Sequence, residues 1–399
     1  MKISLFTDAD VFAGTERHML DLATALRADG IDVEIACPER GILAERGRLA
    51  GVPIFAVEKG RGLDIAAARR MSERLRTGKI DLIHSHNGRT IFIAALAATL
   101  ARRGHTVATQ HFTRPARLQR QGFRGWLSRR VHQALAGRTD HIVAISEIVR
   151  KGILERGEVG PEKVTMVWNG IADPSMEPLR PATEIRAEFH VPAGAPLIVS
   201  AARLEPEKSV HLLIEAFGKL RSTHPRAHCL IAGEGRQRAE LQALIDRLGI
   251  ADSLRLIGYQ PDVLSIVGAA NLFALPSPEE PFGLALVEAM ALGRPVIAMR
   301  AGGPLEIVRD GESGLLVAPE NAEELCAAMS LVLTDHTLAN DLRHRARQRF
   351  LSCFTAQRMA RDMARIYSKT TRSGVAINVG QSRTSECARS LTGTSGQSL

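Results

Sequence analysis

Two carboxylates with a fixed spacing mark the stretch at 276–303, which reads PSPEEPFGLALVEAMALGRPVIAMRAGG. Glu280 and Glu288 are separated by seven residues, and the pattern around the second predicts a helix over 283–292. Eight residues of helix make about 2.2 turns, so the spacing predicts that both carboxylates lie on roughly one side. Carboxylate oxygens accept hydrogen bonds from the hydroxyl groups of a sugar or a ribose.

The start of that predicted helix suits an anion. Backbone N–H groups at a helix N-terminus have no partner within the helix, and the helix dipole favours negative charge there, commonly phosphate. Because a carboxylate would repel a phosphate, we expect the two glutamates to bind hydroxyl groups, and the stretch predicts a nucleotide-sugar pocket. The alternative is an amphipathic helix with two solvated glutamates. The N–H groups concerned belong to Phe282, Gly283, Leu284 and Ala285.

Two cations follow a predicted strand at 197–201. Arg203 and Lys208 lie in ARLEPEKS, between the carboxyl end of that strand and the start of the next helix. A diphosphate that is withdrawn from water needs such countercharge. The alternative is a solvated basic loop in which Glu205 and Glu207 pair with the two cations.

Glycine-bearing loops follow three predicted strands, at Gly14, at Gly233 and at Gly302. Glycine lets the backbone approach a ligand closely, but it is equally the residue of an ordinary turn. No G-x-G-x-x-G follows the first strand, and no Walker A lysine motif occurs. The sequence therefore disfavours an NAD-binding fold and a P-loop ATPase.

Histidines stand at the ends of two predicted strands. His84 and His86 are two positions apart and share one face of their strand, while His111 follows another strand. Two such histidines are able to hold a metal, but no Asp/Glu cluster and no C-x-x-C pair lies nearby in the sequence. Loop packing or hydrogen bonding in a cleft is the favoured interpretation, and no metal is predicted.

Apolar strands alternate with helical patterns along the chain, which predicts parallel sheets covered by helices on both faces. A length of 399 residues suits two domains. The predicted fold class is α/β, with two doubly wound Rossmann-like domains facing a cleft and ligands at the carboxyl ends of the strands. The predicted parts are an N-terminal Rossmann-like domain at 1–173, a linker at 174–196, a C-terminal Rossmann-like domain at 197–350 that holds the predicted nucleotide-sugar pocket, a helix at 351–369, and a disordered tail at 370–399.

The composition predicts a cytoplasmic protein. No run approaches the roughly 20 apolar residues of a membrane span. The N-terminal stretch at 1–10 becomes polar too quickly for a signal peptide and is expected to form a first strand.

The net charge of +9 is concentrated in one segment at 111–139, which holds seven arginines and no Asp or Glu. Trp126, Phe123 and Leu127 are interleaved with the arginines, and this mixture suits the headgroup level of an anionic membrane. We therefore predict peripheral docking on the inner face of the plasma membrane. The alternative is a helix whose arginines are solvated or paired. The predicted contact residues are Arg114, Arg117, Arg120, Arg124, Arg129 and Arg130.

Taken together, these motifs resemble those of a family 4 glycosyltransferase of the GT-B fold. The E-x7-E motif is Glu280 to Glu288, and the resemblance covers about residues 1–368. The motifs that accompany it, in the family's order, are N-G-I at 169–171, R-L-x-x-x-K at 203–208, G-E-G at 233–235 and G-G-x-x-E at 302–306.

The resemblance implies a role for each matching residue on the donor side. Glu280 would bind the donor sugar near its reacting carbon, and Glu288 would hold the ribose. Arg203 and Lys208 would neutralise the diphosphate. The Phe282–Ala285 backbone would cap the phosphates, and Gly233 would belong to the same nucleotide-sugar site.

The resemblance also implies that the domain at 1–173 lies on the acceptor side and that the helix at 351–369 returns to it. A membrane-docked segment in that domain would meet a lipid-linked or otherwise anionic glycan acceptor. His111 in A-T-Q-H would be a catalytic histidine near the acceptor and the transferred sugar, and Gly14 would match the second glycine of the family's first G-G loop. Ala13 departs from that motif, which puts the shape of the loop in question. The family implies retention of configuration without a bound metal, and no D-x-D motif occurs here.

Two other functions fit parts of the sequence. A nucleotide-sugar 2-epimerase resembles the same architecture, but it needs further acid/base carboxylates and no acceptor. A nucleic-acid-binding protein would use the arginine segment, but aromatic residues make up only 4% of the chain and offer few stacking platforms. The predicted partners are thus a nucleotide-sugar donor, a glycan or glycolipid acceptor and an anionic membrane surface, without nucleic acid.

Overall fold

The computed structural model describes residues 1–60, 64–113, 134 and 137–371. The chain folds as two units, one formed by Met1–Ala172 together with the chain from Cys353 onward, the other by Asp173–Ser352. Of the predicted tail at 370–399, only Thr370 and Thr371 are described, and they end a helix.

The first unit is built on a seven-stranded parallel sheet with the strand order β3-β2-β1-β4-β5-β6-β7. Its strands are almost wholly buried, because helices cover the sheet, and apolar residues therefore fill consecutive strand positions. The strands are β1 Lys2–Phe6, β2 Asp32–Cys37, β3 Ile54–Ala56, β4 Leu82–Ser85, β5 His105–Gln110, β6 His141–Ala144 and β7 Val164–Met166. The described helices are Gly14–Ala28, Ile42–Leu49, Ile65–Arg76, Gly88–Ala101, Glu147–Glu155 and, after the second unit, Ala356–Thr371.

The second unit repeats this plan with a six-stranded parallel sheet in the order β10-β9-β8-β11-β12-β13. The strands are β8 Leu197–Ala201, β9 His228–Ala232, β10 Leu254–Gly258, β11 Leu272–Leu275, β12 Val296–Met299 and β13 Leu315–Val317. The helices are Ala182–Glu188, Val210–Leu220, Arg238–Arg247, Val263–Gly268, Leu284–Ala291, Pro304–Ile307, Ala322–Thr334 and His336–Cys353. Two doubly wound α/β units were predicted from the sequence, and this fold class is confirmed.

Each sheet has one point where the strand order reverses. In the first sheet it lies between β1 and β4, and in the second between β8 and β11. In open α/β sheets the crevice at such a point, outside the carboxyl ends of the strands, is where ligands bind. The loops that follow these four strands are therefore the first places to look for a site.

Helix Ala356–Thr371 completes the core of the first unit. Met359, Met363 and Tyr367 recur every four residues and are each at most 1% exposed, so they form one buried face. They pack in one cluster with strand residues such as Leu5 and Ile35. Along the chain, the second unit is inserted between this helix and all the other elements of the first unit.

The segment at 174–196, predicted as a linker, contains helix Ala182–Glu188 and is grouped with the second unit. Ile185 of this helix is fully buried, and Arg186 donates hydrogen bonds to the Ala195 carbonyl at 2.8 Å and to Asn271 Oδ1 at 2.9 Å. One buried apolar side chain and these hydrogen bonds are enough to fix a segment whose proline-rich composition predicts only turns.

Gly233→Ala is expected to destabilise the second unit. Gly233 has φ +143°, and a Cβ there would lie 1.9 Å from the Ala202 carbonyl oxygen. An alanine in this backbone conformation costs about 1–3 kcal/mol of stability. The clash of its Cβ with the Ala202 carbonyl adds to that cost. Thermal unfolding measures the effect. Gly249→Ala is the matched control, because Gly249 has φ +66° with open space around it; equal losses in the two variants would contradict the clash.

Candidate active site

Lys208 and Glu280 meet at the reversal point of the second sheet. Lys208 lies in the loop after β8, Glu280 lies in the loop after β11, and Lys208 Nζ donates to Glu280 Oε2 at 2.6 Å. The two side chains are only 13% and 15% exposed. Partial burial strengthens this pair relative to a surface ion pair, so each side chain fixes the position of the other.

Glu280 lies before the helix, as the predicted helix bounds of 283–292 imply. Helix Leu284–Ala291 begins four residues later, after Gly283 with φ 115°. The helical-spacing argument therefore does not relate Glu280 to Glu288, since only Glu288 is on the helix. Pro281 and the positive φ of Gly283 make the chain enter the helix from a loop.

The glycine pair after β12 supports the backbone around Glu280. The Gly303 N–H donates to the Glu280 carbonyl at 2.8 Å. A Cβ on Gly302 would lie 2.5 Å from that same oxygen, and a Cβ on Gly303 would lie 2.3 Å from Phe282 Cα. Only glycine allows this approach, so the G-G motif shapes the loop that carries Glu280.

Arg349 holds the segment that follows the glycine pair, a role that no sequence motif indicated. Its Nε donates to the Ile307 carbonyl at 2.6 Å and its Nη2 to the Glu306 carbonyl at 2.7 Å. The guanidinium thus caps the C-terminal end of helix Pro304–Ile307, where the helix dipole favours a cation. Burial lowers the pKa of Arg349 to about 10.

Arg349→Ala is expected to lower the free energy of unfolding of the second unit by about 2–3 kcal/mol, because buried carbonyls lose charged donors. Chemical denaturation measures it. Arg345→Ala on the same helix is the control, since Arg345 is exposed. A loss no larger than that of the control would show that Arg349 does not hold this segment.

The N-terminus of helix Leu284–Ala291 has no side-chain cap. The Gly283 carbonyl accepts from the N–H groups of Leu286 and Val287 at 3.0 and 3.3 Å. These hydrogen bonds close the first turn of the helix, which contains Leu284 and Ala285. Phe282 is 2% exposed and anchors this turn in the core. The predicted phosphate-binding backbone therefore lies at a helix start, four residues along the chain from Glu280.

Arg203 is the most exposed of the predicted cations. Its side chain is 60% exposed and pairs with Glu207 at 2.8 Å, while Glu205 pairs with Arg236 at 2.7 Å. Exposed ion pairs of this kind are weak, so Arg203 is able to exchange Glu207 for a bound phosphate at little cost.

Gly233 lies at the same end of the second sheet as Arg203, directly after β9. The loop after β9 packs against the loop after β8, where the Leu204 N–H donates to the Glu234 carbonyl at 2.9 Å. A Cβ on Gly235 would lie 2.2 Å from the Leu204 carbonyl oxygen. The G-E-G motif thus shapes the backbone beside Arg203.

In the first unit, Gly14 is the first residue of helix Gly14–Ala28 and is exposed. Ala13 precedes it with φ −137°, an extended conformation that any residue adopts. Its N–H donates to Glu16 Oε2 at 3.0 Å. Ala13, which stands where the family has glycine, therefore needs no positive φ. The hydrogen bond from its N–H to Glu16 stabilises the start of the helix.

Four buried histidines, called here the histidine cluster, gather at the reversal point of the first sheet. His84 and His86 come from the end of β4, His111 follows β5, and His18 lies on helix Gly14–Ala28. His86 Nδ1 is 3.3 Å from His111 Nε2, and the His18 and His111 rings meet edge to face at 4.9 Å. Burial lowers the pKa of His18 to about 4 and holds the pKa of His111 well below its usual range, so the rings are neutral.

A polar network beside the cluster was missed by the sequence analysis. Asp8 follows β1 and is 7% exposed; it accepts from Asn87 Nδ2 at 2.9 Å and from Arg89 Nη1 at 2.7 Å. Part of the signal was available, because Asp8 and Asn87 each follow a strand, but the strand order that brings their loops together was not visible in the sequence. His18 had no such signal, since it is one polar residue within a helix.

The predicted membrane contacts, from Arg114 to Arg130, lie outside the described residues. Among the residues that are described, no helix combines the length and the apolar character needed to cross a membrane.

Comparisons with known proteins agree with this architecture. The family model described as Glycosyltransferase Family 4 matches residues 12–173, and that described as Glycosyl transferases group 1 matches residues 181–349. A glycogen synthase from Mycobacterium tuberculosis is 31% identical in an alignment of 396 residues. The alignment covers 90% of this chain and 91% of the relative. The chain belongs to the family 4 glycosyltransferases.

Other similar proteins extend over nearly the whole chain. A phosphatidyl-myo-inositol mannosyltransferase from Mycobacterium tuberculosis is 28% identical over 393 residues, covering 93% of this chain and 97% of the relative. The crystal structure of Anabaena HepE in complex with UDP and glucose has a TM-score of 0.80 at 23% identity, covering 92% of this chain and 99% of that chain. The GT-B fold and the glycosyltransferase class predicted from the sequence are confirmed, and neither the epimerase nor the nucleic-acid alternative is favoured.

Proposed function

We propose that this glycosyltransferase moves a sugar from a nucleotide diphosphate sugar to an acceptor hydroxyl, with retention of configuration. The observation that carries the proposal is the pair of Lys208 and Glu280 at 2.6 Å, at the reversal point of the second sheet. Helix Leu284–Ala291 starts four residues after Glu280, without a side-chain cap. An ammonium and a helix start suit a diphosphate, while a carboxylate suits a sugar hydroxyl.

The pairing gives both residues a role before and after the donor binds. In the ligand-free protein, Lys208 compensates the charge of Glu280 and keeps its carboxylate in place. When the donor binds, the ammonium is shared between the carboxylate and a phosphate oxygen, and Glu280 accepts from a sugar hydroxyl. Such groups are positioned in advance, so little reorganisation is needed as the reaction proceeds.

The reaction breaks the bond between the sugar's anomeric carbon and the diphosphate oxygen, and the electron pair stays on that oxygen. The growing negative charge is stabilised by Lys208, Arg203 and the N–H groups at the helix start. The acceptor oxygen bonds to the anomeric carbon on the same face, and its proton passes to the departing phosphate. We assign His111 to the acceptor side.

Because these groups supply the countercharge that a diphosphate needs, we propose that donor binding requires no metal ion. The similar HepE structure is a complex with UDP and glucose, which supports UDP-glucose as the first donor to try. A screen of UDP-, GDP- and ADP-sugars, read by donor hydrolysis and by thermal stabilisation with chelator present, tests the proposal. Stabilisation by DNA instead, or conversion of the donor to its 2-epimer without an acceptor, would contradict it.

We further propose a lipid-linked or cell-envelope glycan as the acceptor and a cytoplasmic, peripheral place on the inner membrane face. The segment at 111–139 supports this with seven arginines and no acidic residue. A similar protein of this family is a phosphatidyl-myo-inositol mannosyltransferase, whose named acceptor is a lipid.

Vesicle sedimentation is expected to show binding to anionic lipids and little binding to neutral ones. Each basic residue near such a surface contributes about 1 kcal/mol, so changing Arg120, Arg124 and Arg129 to Glu should nearly abolish binding, and high salt should weaken it. Arg226→Glu, on an exposed residue of the second unit, is the control. Equal binding to both lipids, or unchanged anionic binding by the triple variant, would show that the segment does not dock on membranes.

A further inference from the structure

Three members of the histidine cluster converge on one point, and of these three the proposed transfer reaction uses only His111. His18, His86 and His111 each present a ring nitrogen, and these nitrogens all lie within 4.8 Å of one another. All three side chains are buried, at 3%, 0% and 8% exposure. We propose that they form a site for one divalent transition-metal ion of the zinc class.

The spacing is close to that of a metal site. Two nitrogens bound tetrahedrally to Zn²⁺ at about 2.0–2.1 Å lie about 3.3 Å apart. His86 Nδ1 and His111 Nε2 are 3.3 Å apart. The other pairs of nitrogens lie within 4.8 Å of one another, so the rings would have to turn to bring all three to that spacing. A site with three protein nitrogens leaves its fourth position to water or another ligand.

The cluster contains polar atoms that the protein itself does not satisfy. Among the described residues, His18 Nδ1 and Nε2 and His86 Nε2 are buried without a hydrogen-bond partner. A hydrogen bond with the neighbouring Asn169 would satisfy at most one of the two His18 nitrogens. Such atoms are costly to bury, and an ion bound to a His18 nitrogen would satisfy one of them. Neutral imidazole is the form that binds a metal, and burial keeps the rings neutral.

The fourth histidine of the cluster, His84, has a different role. His84 Nδ1 contacts Tyr367 Oη and its Nε2 contacts Thr109 Oγ1, both at 2.7 Å. With both nitrogens engaged, His84 is not a ligand, but its ring packs against His86 at 4.1 Å between centroids. The His84 ring therefore helps to hold the His86 ring in place.

The charge that disfavours a cation beside His18 is itself paired. Arg358 is the cation that acts on His18. Its Nη1 donates to Asp362 Oδ2 at 3.0 Å, and its Nη2 donates to the Trp168 carbonyl at 2.6 Å. Asp362 therefore compensates the guanidinium charge. The site lies wholly in the first unit, whereas the countercharge proposed for the diphosphate lies in the second.

Titration of tag-free, chelator-stripped protein with Zn²⁺ tests the site. We expect one saturable equivalent per chain, a higher melting temperature with Zn²⁺, and with Co²⁺ the visible absorption of a tetrahedral site. His18→Gln and His86→Ala should each weaken Zn²⁺ binding by at least about 100-fold, since losing a neighbour of a ligand already costs about 10- to 100-fold.

His105→Gln is the matched control, because His105 lies on β5 in the same sheet, outside the cluster. It should bind Zn²⁺ as the wild type does. Absence of saturable binding by the wild-type protein would overturn the proposal even if a variant failed to fold. Binding that survives in both His18→Gln and His86→Ala would place the metal elsewhere. The donor screen is run with chelator present, so the proposed donor binding is tested separately from this site.

Discussion

Glu280→Ala is expected to reduce sugar transfer to background while the protein stays folded. The carboxylate is the acceptor proposed to orient the donor sugar, and removing one group positioned for the transition state costs about 100- to 1,000-fold in kcat. Its backbone carbonyl, which accepts from the Gly303 N–H at 2.8 Å, remains in the variant, so the loop is retained. Initial rates with a saturating donor, together with a melting curve, measure the effect.

Two further variants separate the role of Glu280 from a general effect of charge. Glu279→Ala removes the exposed neighbouring carboxylate and should transfer at the wild-type rate. Glu288→Ala should mainly raise KM for the donor, because its proposed role is to hold the ribose. Near wild-type transfer by Glu280→Ala, with a normal melting curve, would show that the assignment is wrong.

Lys208→Ala and Arg203→Ala are each expected to lose about 2–4 kcal/mol of transition-state stabilisation, or roughly 30- to 1,000-fold in kcat/KM. The lost charge faces the diphosphate, which all the donors share, so the loss should be similar for every donor sugar. The effect of Lys208→Ala should be the larger, since Lys208 is 13% exposed and Arg203 is 60% exposed.

Arg236→Ala provides the matched control for the two cations. Arg236 is 81% exposed and pairs with Glu205 in the adjoining loops, so its removal changes the local charge without touching the proposed site. A double variant of Lys208 and Glu280 should lose less than the sum of the two single losses, because the side chains act as a pair. A switch of sugar preference without a general loss would refute the diphosphate role.

Much of the second unit could be predicted from local pattern. The βα alternation predicted both parallel sheets, and the E-x7-E stretch predicted a helix whose observed bounds are Leu284–Ala291. The glycine pair at Gly302 and Gly303 was also visible, although its function, letting two loops touch at Glu280, was not. Such features depend on a few neighbouring residues, so they can be recognised without the fold.

The pairing of distant residues could not be predicted in this way. Lys208 and Glu280 are 72 residues apart in the chain, and the sequence suggested two separate roles rather than a pair. His18 joined the histidine cluster only through the packing of helix Gly14–Ala28 on the sheet. Arg349 reached the Glu306 carbonyl from a helix 43 residues later.

The physical reason lies in the strand order. Alternating strands and helices determine that a parallel sheet forms, but the order β10-β9-β8-β11-β12-β13 decides which loops become neighbours. Because the order reverses between β8 and β11, the loops carrying Lys208 and Glu280 meet at one edge. The sequence by itself determined the residue types, their local turns and the family to which they belong; only the tertiary structure decided which of these side chains touch.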